Sequence, residues 1–256
     1  MTGNDSVESL GRKVFFLHPS ALIQNEVIEE LAQGEFEVYF SKDETKLRHL
    51  LKKYPESIVF ANISDGMKEN AWEEWIKSIM MEIPGVDIGI ITYSDDTSLR
   101  HKYMELLKVR CGFTAMRADL PSVIKQLESI LNSVNAKGRR KYVRVLTDRE
   151  TNTTVNLPMN GTFVTGVIKD ISTVGFSCYF ADDPELVKNS HFTDIQIRLQ
   201  TQLIKAQGMV FGSRMHENEK HYVFLFTQRT LPEVHIKIRK FIHTLLQTRM
   251  DNEFRR

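Results

Sequence analysis

The sequence predicts an α/β unit followed by an all-β one: a doubly wound (βα)5 domain, then a six- or seven-stranded antiparallel β-barrel with a C-terminal helix. Three observations predict it. Up to about residue 134, short apolar runs alternate with segments whose apolar residues recur every three or four positions. Beyond residue 141 the apolar residues recur every second position. Between the two lies Asn132-Ser133-Val134-Asn135-Ala136-Lys137-Gly138, which is small and polar, with Gly138 able to end a helix in the left-handed conformation. Alternating strands and helices build a parallel sheet covered on both faces, whereas successive short strands with hairpin-length gaps close on themselves. The chain has 256 residues, 41% of them hydrophobic, enough for two ordinary cores. The expected boundaries are a disordered N-terminus over 1–11, a first domain over 12–134, a linker over 135–141 and a second domain over 142–250.

In the first half, Lys13 to Leu17, Phe36 to Phe40, Ser57 to Ile63, Val86 to Thr92 and Phe113 to Met116 read as strands, being short, β-branched or aromatic, and bounded by polar residues, Gly or Pro. Five helices fit between and after them. Their apolar stripes are Ile23, Val27 and Leu31; Leu47, Leu50, Leu51 and Tyr54; Trp72, Trp75, Ile76 and Ile79; Leu99, Tyr103, Leu106 and Leu107; and Val123, Ile124, Leu127, Ile130, Leu131 and Val134. Pro121 suits the first turn of the last.

Composition excludes several classes. No apolar run approaches the ~18 residues that span a bilayer, and Asp5 and Glu8 precede Val14 where a signal peptide would be basic, so a cytoplasmic protein with no membrane span is expected. Cys111 and Cys178 lie in different halves and are too few for a disulfide framework or a zinc site; both are expected to be buried thiols. Up to Lys137 there are 16 basic and 21 acidic residues, and afterwards 18 and 12, so the halves carry net charges of −5 and +6. The asymmetry points to an anionic partner for the second half.

The strand–helix layout of the first half looks like the receiver domain of response regulators, but its chemistry departs from that pattern. A receiver keeps an acidic pair after its first strand to hold magnesium; here His18 and Pro19 follow Leu17. Where the phospho-accepting aspartate belongs stands Asn62, whose amide cannot form an acyl phosphate. Thr92 matches the hydroxyl position, whereas Met116, Arg117 and Ala118 replace the lysine–proline pair. The expectation is a pseudo-receiver. Asp43, Asp65, Asp95 and Asp96 fall near strand ends, where helix caps and solvated loop charges are preferred over a cation site, and no metal is expected. Trp72 and Trp75 read as core or interface anchors.

In the second half, Tyr142 to Thr147, Thr153 to Met159, Thr162 to Asp170, Gly175 to Phe180, Thr193 to Thr201, Leu203 to Phe211 and Tyr222 to Thr227 read as strands. Turn signals such as Leu157-Pro158-Met159-Asn160-Gly161 and Asp182-Asp183-Pro184 separate them. Leu231-Pro232 then opens a helix with Val234, Ile238, Phe241 and Leu245 on one face, expected to pack on the barrel.

Two motifs in this half carry chemistry. Gly138-Arg139-Arg140-Lys141-Tyr142-Val143-Arg144 contains an RxxxR pair, Arg140 and Arg144; Asp170, Ser172 and Gly175 form a DxSxxG turn, with Asp170 following Arg144 by 26 residues. Guanidinium groups bind phosphate bidentately and pair with the O6/N7 edge of guanine, while a carboxylate accepts from guanine's N1 and N2 donors. Each motif alone is common; their order and spacing are not. On these residues the segment 138–250 resembles the PilZ domain, a bacterial receptor for cyclic di-GMP. The resemblance implies that Arg140 and Arg144 contact phosphate and guanine, that Asp170 and Ser172 make polar contacts, and that Gly175 lets the turn approach the ligand. Arg139 lies within reach of the same ligand, and the family often has a glycine beside it at about the position of Gly208.

No nucleophile–base pair, Gly-rich phosphate loop or paired catalytic carboxylates stand out, and His191, His216 and His221 lack metal-ligand spacing, so no enzyme is expected. The expected function is a cyclic di-GMP receptor that transmits binding as a change in interdomain arrangement and contacts a downstream protein through the first domain. No cofactor besides the ligand is implied. The alternatives are a phosphorylation-independent adaptor and a nucleic-acid-binding barrel; the latter is not favoured, because no surface aromatics interleave with the cations.

Overall fold

The computed structural model describes residues 11–139, 141–147, 151–216 and 219–253. Residues 1–10, most of the expected disordered N-terminus, fall outside them. Contacts divide the chain into two units, one formed by residues up to 141 together with 247–253, the other by Tyr142–Leu246.

The first unit is a five-stranded parallel sheet in the order β2-β1-β3-β4-β5, the doubly wound arrangement expected of five strand–helix units. Its strands are β1 (Val14–Leu17), β2 (Val38–Ser41), β3 (Ile58–Asn62), β4 (Asp87–Thr92) and β5 (Phe113–Ala115). Every residue of β1, β3 and β4 is buried, as strands covered on both faces require. The helices are α1 (Ile28–Gln33), α2 (Glu44–Lys53), α3 (Glu69–Glu82), α4 (Thr97–His101) and α5 (Leu120–Ser133). Two π-helical turns add a register that periodicity does not predict: Ile23–Val27 leads into α1, and Lys102–Leu106 continues α4. Asp43, Asp96 and Asp119 cap helices, accepting from Lys46 N, Ser98 N and Ser122 N at 2.8, 2.7 and 3.0 Å.

The end of α5 corrects the expectation for Gly138. Asn135 takes the left-handed conformation (φ 52°), with Ala136 N donating to Leu131 O and Asn135 N to Asn132 O, the two bonds of a Schellman stop. Gly138 (φ 60°) serves the following turn instead.

The second unit is an antiparallel barrel. Its strands are β6 (Arg144–Leu146), β7 (Thr153–Met159), β8 (Thr162–Ser172), β9 (Gly175–Phe180), β10 (His191–Leu199), β11 (Gln202–His216) and β12 (Glu219–Phe226). Six strands run β8-β7-β10-β11-β12-β9, and β9 pairs back onto β8 to close the circle; β6 adds to β8 beyond β7 as the seventh. Alternate residues point inward. Phe176 and Phe224 stack at 4.9 Å in the middle, and Val234, Ile238, Phe241 and Leu245 of α6 (Pro232–Asn252) join the same core. β11 and β12 exceed the expected strands: Gly212 to His216 pair with residues of β12 from Val223 to Glu219. Ser213, Arg214, His216 and Lys220 carry no apolar alternation, so periodicity could not extend the strands over them.

Each unit contains one buried thiol. Burial pushes Cys111 up to about 12 and holds Cys178 well above the usual thiol range, with the Asp170 carboxylate adding to the effect on Cys178. Both are therefore expected to resist iodoacetamide at pH 8 in the native protein and to react on unfolding in urea. Peptide mass mapping distinguishes them, and rapid native-state labelling of either would contradict its burial.

Candidate functional site

The hairpin β8–β9 builds the site in the barrel. Ser172 pairs with Gly175, Ile171 with Phe176 and Asp170 with Ser177, so Thr173 and Val174 form a two-residue turn. On the other edge of β8, β6 sets Arg144 opposite Ser172 and Leu146 opposite Asp170. Arg144 and the DxSxxG turn, whose Asp170 follows it by 26 residues in the chain, thus become neighbours across one strand pair.

Electrostatics then fix the arginine. Asp170 is buried, and its Oδ1 lies 3.1 Å from Nη1 of Arg144, while its Oδ2 accepts from the Ser177 hydroxyl. A buried carboxylate needs such partners, because removing a charge from water without compensation is costly. Arg144 remains half exposed, at 50% of its side-chain surface, so N–H donors not used by Asp170 can reach a ligand from solvent. Ser177 escaped the sequence reading. A two-residue turn after Ser172 puts position 177 opposite 170, and that register was the available signal.

The turn itself is tied down from three sides. Ser172 Oγ donates to Gly175 O at 3.1 Å, Phe226 N donates to Val174 O at 2.9 Å, and His235 Nδ1 of α6 lies 2.9 Å from Thr173 O. A carbonyl only accepts, so His235 carries its proton on Nδ1. Gly175 has a reason to be glycine that is internal to the barrel: a Cβ there would lie 2.1 Å from Phe224 O. Gly208 faces the same strand from the other side, where its Cβ would meet Ile195 Cδ1 and Leu225 O at 3.0 Å each. Leu225 pairs with Gly175 on one side and Met209 on the other, so the two glycines flank β12.

Of the remaining candidates, Arg139 is exposed and belongs to the first unit. Arg140 lies outside the described residues.

The carboxyl ends of the strands in the first unit form an internally bonded rim. Asn62, buried, donates from Nδ2 to His18 O at 2.9 Å and accepts from Ser64 N at 3.3 Å. His18 is left-handed (φ 52°), its Nε2 sits 2.5 Å from Glu44 Oε1, and its ring meets Trp72 edge-on at 5.8 Å. Thr92 Oγ1 is 3.0 Å from Ser64 Oγ and accepts from Ser94 N at 3.0 Å. Among the described residues no three His, Cys, Asp or Glu side chains gather as metal ligands. Of the four aspartates singled out near strand ends, Asp43 and Asp96 cap helices, Asp65 accepts from Gly66 N at 2.7 Å, and Asp95 faces Arg100 at 3.6 Å. Trp72 and Trp75 are buried and meet edge to face at 6.0 Å, so both are core residues.

The chain thus joins a receiver-like α/β unit to an antiparallel barrel in which Arg144 of β6 is paired with Asp170 of β8. No family model and no curated protein matches the sequence. Among solved structures, its neighbours over the barrel half include YcgR of Escherichia coli in complex with c-di-GMP, at 15% identity and a TM-score of 0.40, covering 46% of this chain and 51% of that one. The MrkH–c-di-GMP complex of K. pneumonia is similar at 17% identity and a TM-score of 0.39, covering 46% and 56%. A response regulator from Thermotoga maritima is similar at 17% identity and a TM-score of 0.40, covering 48% and 99%. The chain spans about half the length of the first two. No helix among the described residues is long and apolar enough to cross a membrane.

Proposed function

We propose that this protein is a bacterial, cytoplasmic receptor for cyclic di-GMP, with Arg144, Asp170, Ser172 and Gly175 at the centre of the ligand site and Arg140 completing the arginine pair. One observation carries the reading: the β6–β8 register brings Arg144 against the DxSxxG turn, half exposed and oriented by a buried carboxylate. In this role Asp170 holds one edge of the guanidinium, leaving further donors for a phosphate or the O6/N7 edge of guanine. The rigid turn supplies a surface that needs little reorganisation on binding. Arg139 adds a contact from the basic segment, and Gly208 supports the strand behind the site. The protein acts by binding, without catalysis, and uses no cofactor besides the ligand.

A bidentate arginine contact contributes roughly 1–3 kcal/mol, so Arg144→Ala and Arg140→Ala should each weaken cyclic di-GMP binding by about ten- to a hundredfold in a calorimetric titration. Arg139→Ala should have the smaller effect. Unchanged affinity in both Arg140 and Arg144 variants would reject the site.

Transmission is proposed to run through the segment 135–141, which joins the two units and carries Arg139 and Arg140. A dinucleotide held by these arginines restricts that segment and shifts the population of interdomain arrangements. Small-angle scattering should then change on saturation with cyclic di-GMP; superimposable curves, with binding verified in the same sample, would eliminate the rearrangement. A downstream protein is proposed to read the change through the first unit.

A further inference from the structure

A groove of about 800 Å³ runs between α1, with its leading π-helical turn, and α5 in the first unit. Its floor is apolar, formed by Leu120, Pro121 and Ile124 of α5; Leu120 and Ile124 rest on the core beneath while keeping part of their surface outside. Its walls are acidic: Glu26, Glu29 and Glu30 recur on one side of the first helix, and Glu128 follows Ile124 by one turn on α5. Lys125 is the one cation among the lining residues.

The carboxylates differ from many others in this unit. Glu37 faces Lys13, Glu82 faces Arg48 and Asp87 faces Arg12. No ion pair among the described residues involves Glu26, Glu29, Glu30 or Glu128; the side-chain partner in this group is the neutral Gln33, whose Nε2 donates to Glu30 at 3.0 Å. Four like charges along an apolar trough repel one another, and an occupant bringing cations to both rims relieves that repulsion as it buries the floor. Two helical ridges with an apolar floor between them accept a third helix by ridge-and-groove packing.

We infer that the α1–α5 groove is a docking site for a basic amphipathic helix of a partner protein, with apolar anchors at i, i+3/i+4 and i+7 over Leu120 and Ile124 and Lys or Arg on both flanks. This site is separate from the barrel hairpin, so the inference stands or falls independently of the dinucleotide reading.

The test uses the full chain and two fluorescein-labelled peptides of leucine and lysine, each about 14 residues long to match the ~21 Å of α5. One has its leucines on one helical face; the other has the same composition with leucines spread evenly. The amphipathic peptide is expected to bind at least tenfold more tightly by anisotropy. Its hydrogen-exchange protection should fall on residues 23–33 and 120–128. The triple variant Glu26→Gln, Glu29→Gln, Glu30→Gln, whose exposed positions leave the fold intact, should weaken it at least tenfold, and Ile124→Gln should also weaken it. Equal binding of the two peptides, unchanged affinity in the triple variant, or protection elsewhere would overturn the inference. Sedimentation that shows self-association of the chain, lost in the triple variant, would overturn it in favour of a second copy as the occupant.

Discussion

Gly175→Ala is expected to destabilise the barrel by about 3 kcal/mol, the upper end of what overpacking costs. The added Cβ would lie 2.1 Å from Phe224 O, 3.1 Å from Phe224 C and 3.2 Å from Leu225 Cα. All three are backbone atoms, so no rotamer change relieves the contact. Strand β9 cannot slide away either, because Phe176, next in sequence, is stacked on Phe224 at 4.9 Å with its ring plane 5° from parallel. Alkylation of Cys178 in increasing urea measures barrel opening, with Cys111 in the other unit as internal reference. The Cys178 midpoint should fall and the Cys111 midpoint should hold. Gly212→Ala is the control, since a Cβ there has nothing within 4 Å. The experiment separates two reasons for a glycine in this motif. If the Gly175→Ala variant kept wild-type protection and lost only cyclic di-GMP affinity, close approach of ligand, and not packing against β12, would be the reason.

Arg12→Ala should cost the first unit about 3 kcal/mol, as expected for breaking a largely buried, multiply bonded ion pair. Its guanidinium donates to Asp87 Oδ2 at 2.7 Å and to the carbonyl oxygens of Glu56 and Ser57 at 2.6 and 3.2 Å, tying β1 to the entries of β3 and β4. Removing it leaves Glu56 O without the Arg12 donor, Ser57 O with Asp87 N at 3.1 Å, and the Asp87 side chain, 9% exposed, with Arg110 at 3.2 Å. Arg110 is itself 71% exposed, so Arg110→Ala should cost less than about 1 kcal/mol. Both tryptophans, Trp72 and Trp75, belong to the first unit, so the urea midpoint of tryptophan fluorescence reports this unit selectively. Equal midpoints for the Arg12 and Arg110 variants would refute the assignment of Arg12 as the principal staple.

Most strand positions were legible because burial imposes a period. Thr153–Met159 and Gly175–Phe180 have the bounds that alternation predicts, and the fully buried strands β3 and β4 lie inside the parallel sheet. Where burial does not constrain the side chains, the reading stopped short, as at the outer ends of β11 and β12. Helix irregularities were equally silent: the π-helical turns at Ile23–Val27 and Lys102–Leu106 change the backbone register while leaving the apolar spacing recognisable. Asn135 took the left-handed stop expected of Gly138 because the cap belongs to the residue just beyond the last turn, and asparagine tolerates that conformation.

The sequence by itself determined two chemically different halves, an amide in place of a carboxylate at Asn62, and an arginine motif followed 26 residues later by a DxSxxG turn. Those are properties of residue type and spacing, and no fold is needed to state them. Only the tertiary structure decided that Arg144 lies opposite Ser172, that Ser177 completes the partners of Asp170, and that Phe224 O leaves no room for a side chain at Gly175. The physical reason is that strand pairing and backbone approach depend on register between distant segments. A motif written along the chain fixes which groups are present, while the sheet fixes which of them touch.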